Sequence, residues 1–161
     1  MTTRLEFTVR GTPKAQPRTD GTIARTKKGV SVKPYVRMYT PDTAKGWKEL
    51  VVLAARQAGL PREPWTGPVM VTIDAYFERP QRLMKASSPD GPIRHIARPD
   101  RDNLDKAVLD ALTSCRLWKD DCQVCDGPVR KWYVAKGCAP GVRIVAELLA
   151  PEAPRQMELH P

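Results

Sequence analysis

The chain has 161 residues, enough for one domain with a buried core and too few for two ordinary ones. Its 41% hydrophobic and 28% charged content is that of a globular domain, and no apolar run approaches the roughly 18 residues of a membrane helix. A net charge of +9 directs attention to polyanionic partners rather than to acidic or apolar ones.

The opening MTTRLEFTVRG alternates like a strand over 4–10 and lacks the apolar core of a signal peptide, so a cytoplasmic protein with no membrane partner is expected. A long basic loop follows over 11–33, then a short extended piece at 35–39. The segment TPDTAKGWKELVVLAARQAG reads as a helix from about 41 or 43 to 58, with Gly59 as its stop. Trp47, Leu50, Val51 and Ala54 give that helix an apolar stripe. Residues 69–78 form a strand with Val69, Val71, Ile73, Ala75 and Phe77 on one face, and a loop rich in Pro, Ser and basic residues covers 80–97. A helix is predicted over 100–114, then strands over 123–136, with a break near Gly127-Pro128, and over 142–149. The proline-rich end from 151 reads as a flexible tail. The order is that of an α+β fold: a single two-layer domain over 1–150, with one mixed β-sheet and helices packed on one face, and a tail over 151–161.

Positive charge is unevenly distributed. Residues 1–40 hold nine Arg or Lys against Glu6 and Asp20, which is +7 of the total +9. The stretch 79–98 adds Arg79, Arg82, Lys85, Arg94 and Arg98 against Asp90. Basic loops of this kind suit a phosphate backbone, whose neutralisation releases counterions. The candidate nucleic-acid contacts are Lys14, Arg18, Arg25, Lys27, Lys28, Arg94 and Arg98.

Against this background RPDRDNLDKAVLDAL (98–112) and LWKDDCQV (117–124) are anomalous. Seven of the eighteen acidic residues, Asp100, Asp102, Asp105, Asp110, Asp120, Asp121 and Asp126, lie within 98–126. Leu104, Ala107, Val108, Ala111 and Leu112 form a buried stripe at helical spacing, which sends Asp102, Lys106 and Asp110 to the opposite side. Capping and helix-dipole effects account for one Asp at the helix start, and Asp102 with Lys106 makes an ordinary i,i+4 pair. Converging carboxylates repel one another unless a cation lies between them, so a Mg²⁺ or Mn²⁺ site is the reading that covers the whole island. The four cysteines, Cys115, Cys122, Cys125 and Cys138, include a single Cys-x-x-Cys and lack placed histidines; small buried thiols are expected rather than a zinc module.

PDRDNLDKAVLDAL followed by LWKDDCQV closely resembles the signature of the RusA family of Holliday-junction resolvases, roughly D-x-D-N-L-x-K-x-x-x-D-A-L, a turn, then W-x-D-D-x-Q-V. GTPKAQPR and YTPDTAKGWKE resemble, less sharply, the family's basic entry loop and first helix. The resemblance implies a small α+β homodimer that cuts four-way DNA junctions by paired symmetric nicks, with Mg²⁺ or Mn²⁺. By motif position it places the catalytic, metal-binding carboxylates on Asp100, Asp102 and Asp121 and the essential lysine on Lys106. Asn103 and Asp120 match positions that support these groups from behind. Arg116 stands where the family often has Gly, and the basic loops at 11–35 and 80–97 are longer than in the smallest members. The departures bear on substrate choice, leaving as alternatives a nuclease of the same family for flaps or forks, or a non-catalytic basic DNA-binding protein.

Overall fold

The computed structural model describes residues 3–17, 20–24, 35–39 and 44–150. In chain order the elements are β1 (Arg4–Arg10), β2 (Asp20–Ala24), β3 (Tyr35–Tyr39), α1 (Lys45–Gln57), β4 (Val69–Phe77), β5 (Ile93–Arg94), α2 (Arg101–Ser114), β6 (Val124–Asp126), β7 (Val129–Tyr133) and β8 (Gly141–Leu148), with 3₁₀ turns at Gln81–Leu83 and Asp121–Gln123. Six strands form one mixed sheet in the order β1-β8-β4-β7-β5, with β6 pairing the start of β4, and β2 and β3 form a separate antiparallel pair.

β4 is the organising strand. It runs antiparallel to β8 over eight register pairs and parallel to β6 and β7 on its other side. Its alternation sends Val69, Val71, Ile73, Ala75 and Phe77 to one face, where all five are buried, together with Leu5, Phe7 and Val9 of β1 and Val142, Ile144 and Ala146 of β8. Both helices lie on that face. α2 contributes Leu104, Ala107, Val108, Ala111 and Leu112, the whole expected stripe. The opposite face carries charge instead. There Asp74 is met by Arg130 at 3.3 Å and Arg143 at 3.7 Å, and Arg143 bonds Glu6 at 2.6 Å. This is the two-layer α+β arrangement that the patterning predicts.

Several details differ from the sequence reading. α1 buries Trp47, Val51 and Ala55, spaced by four, whereas Leu50 is 48% exposed. The helix packs on α2 and β1 through its 47-51-55 edge, so a stripe that included Leu50 was rotated too far. The Lys48 ammonium fastens the two helices through the Asp110 carboxylate at 2.7 Å. The basic loop 11–33 contains β2, and the loop 80–97 contains β5, two residues paired with the end of β7. The strand over 123–136 has the expected break at Gly127-Pro128, which divides it into β6 and β7, but it ends earlier, at Tyr133. At the break Gly127 has φ +132, and a Cβ there would lie 1.9 Å from the Val71 carbonyl oxygen, so only glycine lets the chain press this closely on β4. Of the four cysteines only Cys115 is buried; Cys122, Cys125 and Cys138 are exposed on turns and a short strand, which corrects the expectation of buried thiols. The tail 151–161 and the helix start expected at 41–43 lie outside the described residues. No helix among the described residues is long and apolar enough to cross a membrane.

The loop after β4 is held from inside. Arg79, only 6% exposed, donates from Nε to the Val134 carbonyl at 3.0 Å. Its two Nη atoms reach the carbonyls of Leu83 at 3.3 Å, Pro89 at 2.6 Å and Gly91. Lys136 adds bonds to the Ser88 carbonyl at 2.8 Å and the Asp90 carboxylate at 2.9 Å. Arg79 is therefore not part of a DNA-facing basic segment, because its planar fork is used up on backbone carbonyls. Arg79→Met strands those carbonyls and is expected to lower unfolding free energy by at least about 2 kcal/mol, read from the urea midpoint at unchanged m-value.

Candidate functional site

Two ends of α2 carry the residues singled out by the sequence. At the first end Asp100 is the N-cap residue, with extended backbone (φ −71, ψ 151), and its carboxylate makes no capping bond to the helix. Asp102 follows in the first turn, and Lys106 lies one turn further along the same exposed side. Asp102 and Lys106 form no ion pair among the described residues, against expectation. An exposed i,i+4 pair is worth only about 0.2–0.5 kcal/mol, too little to hold two solvated side chains together. Both charged groups stay available to a ligand.

Beside this helix start lies a cleft of about 650 Å³ whose walls include Lys14, Gln16, Phe77, Arg98, Asp100 and Asn103. Its far wall is the segment after β1, drawn against α2 by the Gln16 amide, which donates to the Asn103 carbonyl at 2.8 Å. Of the predicted nucleic-acid contacts, Lys14 and Arg98 are thus brought together with Asp100, both exposed. Arg94 is exposed too, its guanidinium stacked 3.9 Å over the Trp132 ring on the helix-free face of the sheet. Arg18, Arg25, Lys27 and Lys28 lie outside the residues whose side chains are described.

The other end of α2 is closed by a Schellman turn. The Leu117 amide donates to the Leu112 carbonyl at 3.2 Å and the Arg116 amide to the Thr113 carbonyl at 3.0 Å. Arg116 takes the left-handed position, φ +63, that usually goes to glycine. The turn after the helix therefore closes in the usual glycine geometry without a glycine. It sends Leu117 and Trp118 into the core and delivers the chain to the 3₁₀ turn at Asp121.

That turn is capped from both sides. The Asp120 carboxylate accepts from the Cys122 amide at 2.9 Å, and this bond holds its pKa below the ordinary carboxylate value. Gln123 accepts at Oε1 from the amides of Lys119 at 3.0 Å and Asp120 at 3.3 Å. Its Nε2 donates to the carbonyls of Trp65 at 2.9 Å and Gly67 at 3.0 Å, just before β4. Both aspartates are exposed, but Asp120 is spent as a structural cap, which leaves Asp121 as the candidate ligand. The sequence reading passed over Gln123, although D-x-x-Q is a capping-box pattern that could have revealed it.

The two ends are far apart. Gln123 is bonded to the entry of β4, whereas Asp100 shares a cleft with Phe77 at its exit. A 14-residue α2 laid along that strand separates them by about 20 Å. Among the described residues no three His, Cys, Asp or Glu side chains lie close enough to hold a metal ion. The donor chemistry suits a hard divalent cation, since Asp100, Asp102 and Asp121 are exposed oxygen donors. One chain, however, offers a pair at one place and a single carboxylate at another.

A family model described as Endodeoxyribonuclease RusA matches residues 10–146. The chain is 36% identical over 134 residues to "Uncharacterized protein YqaN" of Bacillus subtilis (strain 168), covering 80% of this chain and 87% of that protein. It is 55% identical over 40 residues to "Crossover junction endodeoxyribonuclease RusA" of Escherichia coli (strain K12), covering 25% of this chain and 33% of that one. "Crossover junction endodeoxyribonuclease rusA" of Enterobacteria phage 82 matches to the same extent. The matched stretch spans about a third of the length of these last two relatives.

Two outcomes follow from the local structure. Arg116→Gly removes a left-handed non-glycine residue and is expected to stabilise the fold by about 1 kcal/mol, seen as a raised melting temperature. Burial, and then the nearby Lys131 ammonium, push the His95 imidazole below its ordinary value of 6.5, where it stacks on Phe77 at 4.2 Å and Tyr133 at 4.5 Å. The unfolded chain therefore takes up this proton more readily than the folded one. The neutral imidazole's contribution is complete above about pH 6.5 and is lost as pH falls below it. The melting temperature of the protein should drop over that window, and His95→Phe should flatten the drop.

Proposed function

Because the chain belongs to the RusA endodeoxyribonuclease family, we propose that it is a Mg²⁺- or Mn²⁺-dependent endonuclease that resolves four-way DNA junctions by paired symmetric nicks. The observation that carries this reading is Asp100 at the start of α2, lining a cleft walled by Lys14 and Arg98, with Asp102 exposed in the first turn that follows. A carboxylate and two cations then face one space, with a second carboxylate in the adjoining helical turn, as suits a site for metal and phosphate together.

Asp100 and Asp102 would hold the ion from the helix start, and Asp121 would supply the third carboxylate. Since Asp121 lies about 20 Å away in its own chain, the three can share an ion only where two copies meet. A homodimer whose two-fold axis sets two α2 helices antiparallel pairs the first end of each with the second end of the other. Such a dimer carries two sites, one for each nick. A bound Mg²⁺ or Mn²⁺ would activate water and neutralise charge on the phosphoryl oxygens. Lys106, exposed one turn beyond Asp102, supplies a fixed positive charge for the scissile phosphate. Lys14 and Arg98 hold the backbone across the cleft without reading bases, and Asn103 and Asp120 brace the two ends through backbone contacts.

A synthetic four-way junction tests this directly. Cleavage is expected with Mg²⁺, and binding without cleavage in EDTA. Asp102→Asn should abolish cutting yet keep or tighten binding, because it removes negative charge beside phosphate. Mixing inactive Asp102→Asn with inactive Asp121→Asn probes the shared site. At statistical exchange about half of the dimers pair intact Asp102 with intact Asp121 at one site, restoring single nicks but not paired ones. No recovery on mixing would place all three carboxylates in one chain, and preferential cutting of flaps or forks would move the substrate to other branched DNA.

A further inference from the structure

The best-defined cation near the candidate site is one that the family motif does not include. β7 alternates so that Val129, Lys131 and Tyr133 face the helices, opposite Ile73, Ala75 and Phe77 of β4. An ammonium among these core positions is costly in two ways. It is half-buried, and it approaches the N-terminal end of α2, where the helix dipole disfavours positive charge. Lys131 has no acidic partner among the described residues. Its Nζ donates instead to the carbonyls of Ala97 at 2.7 Å and Pro99 at 2.6 Å.

Those two carbonyls flank Arg98 and immediately precede Asp100. The same segment is fastened to β7 at two further points. Ile93 and Arg94 pair with Tyr133 and Trp132, and the His95 amide donates to the Lys131 carbonyl at 3.1 Å. With its carbonyls turned inwards, the strap from β5 to α2 leaves Arg98 exposed on the cleft and sets the direction from which Asp100 enters the helix.

We propose that Lys131 is a positioning residue of the candidate site: by gripping the carbonyls on both sides of Arg98 it fixes Asp100 as a metal ligand and Arg98 as a phosphate contact. The proposal rests on the function proposed above and deepens it. Lys131 acts through the backbone it holds and touches neither metal nor DNA. The cost of placing a cation at this position is offset by the rigidity it gives to the helix start.

The test compares full-length Lys131→Met and Lys131→Arg with the unaltered chain in three measurements. Amide hydrogen exchange without metal should rise in Lys131→Met over 98–104 and stay unchanged in β1 and β8. Mn²⁺ titrated alone should bind about ten- to a hundredfold more weakly. On a four-way junction kcat should fall by a similar factor, with KM held within about twofold. Lys131→Arg, which keeps charge and donors, should recover most of each loss. The proposal is overturned if Lys131→Met matches the unaltered chain in Mn²⁺ affinity and kcat, or if KM rises alone, which would make Lys131 a DNA contact. A uniform rise in exchange, or a variant that does not fold, also overturns it, because Lys131 would then hold the fold rather than the site. If the unaltered chain binds no Mn²⁺ and cuts no junction, the proposed function fails instead, and the exchange measurement still reports whether the strap is clamped.

Discussion

The placement of every candidate group follows from one packing contact, the apolar stripe of α2 laid on the inward face of the sheet, against β7. Leu104, Ala107, Val108, Ala111 and Leu112 are each at most 1% exposed, so the helix can neither slide nor rotate without opening a cavity in the core. Once that stripe is seated, the helix start must emerge beside Phe77 and its end beside Trp65. Charged residues on the outer side then have no freedom over where they appear, only over how their side chains point. The same contact that orders Asp102 and Lys106 thus removes Asp121 from their company.

Much of the chain's positive charge serves internal purposes. Arg79, Lys131 and Lys136 each spend donors on carbonyls of irregular backbone, and Gln123 does the same as a neutral group. A long loop inside a compact domain leaves many carbonyls without a ladder partner, and side-chain donors with several N–H groups satisfy two or more at once. Arg4 and Arg143 are paired with Glu6, and Arg94 is stacked on Trp132. Within the described residues Lys14 and Arg98 are the cations that wall the cleft, while Arg79, Lys131 and Lys136 are engaged elsewhere.

The sequence was most legible where periodicity meets a single buried face. β1 appears over the seven expected residues, Arg4–Arg10, and the α2 stripe is complete, because one side of each element is wholly apolar. β2 was missed because DGTIA neither alternates nor carries an apolar face, and β5 because two residues have no period. Leu50 misled because its spacing from Trp47 suits a helix face as well as Ala55 does. For the site, the motif identified which carboxylates to watch, yet spacing says nothing about direction along the sheet. Asp121 follows Asp102 by nineteen positions and still lies at the opposite end, since a helix and a return turn carry the chain the full length of β4. Lys131 left a usable trace, a charge at an inward position of an alternating strand, but periodicity alone assigns no role to it.

The guanidinium of Arg79 grips the loop on each side of a short gap, at Leu83 before it and at Pro89 after it. Because both rims are anchored to the same planar group and Lys136 holds the Ser88 carbonyl, the span 84–87 is separated by fixed backbone from the strap that leads into α2. Extra residues accepted there would add only the slowly growing entropy of a longer closed loop. The fold therefore has a place where its outline can vary between relatives, and where a label or tag could be inserted, while the geometry at the start of α2 stays the same.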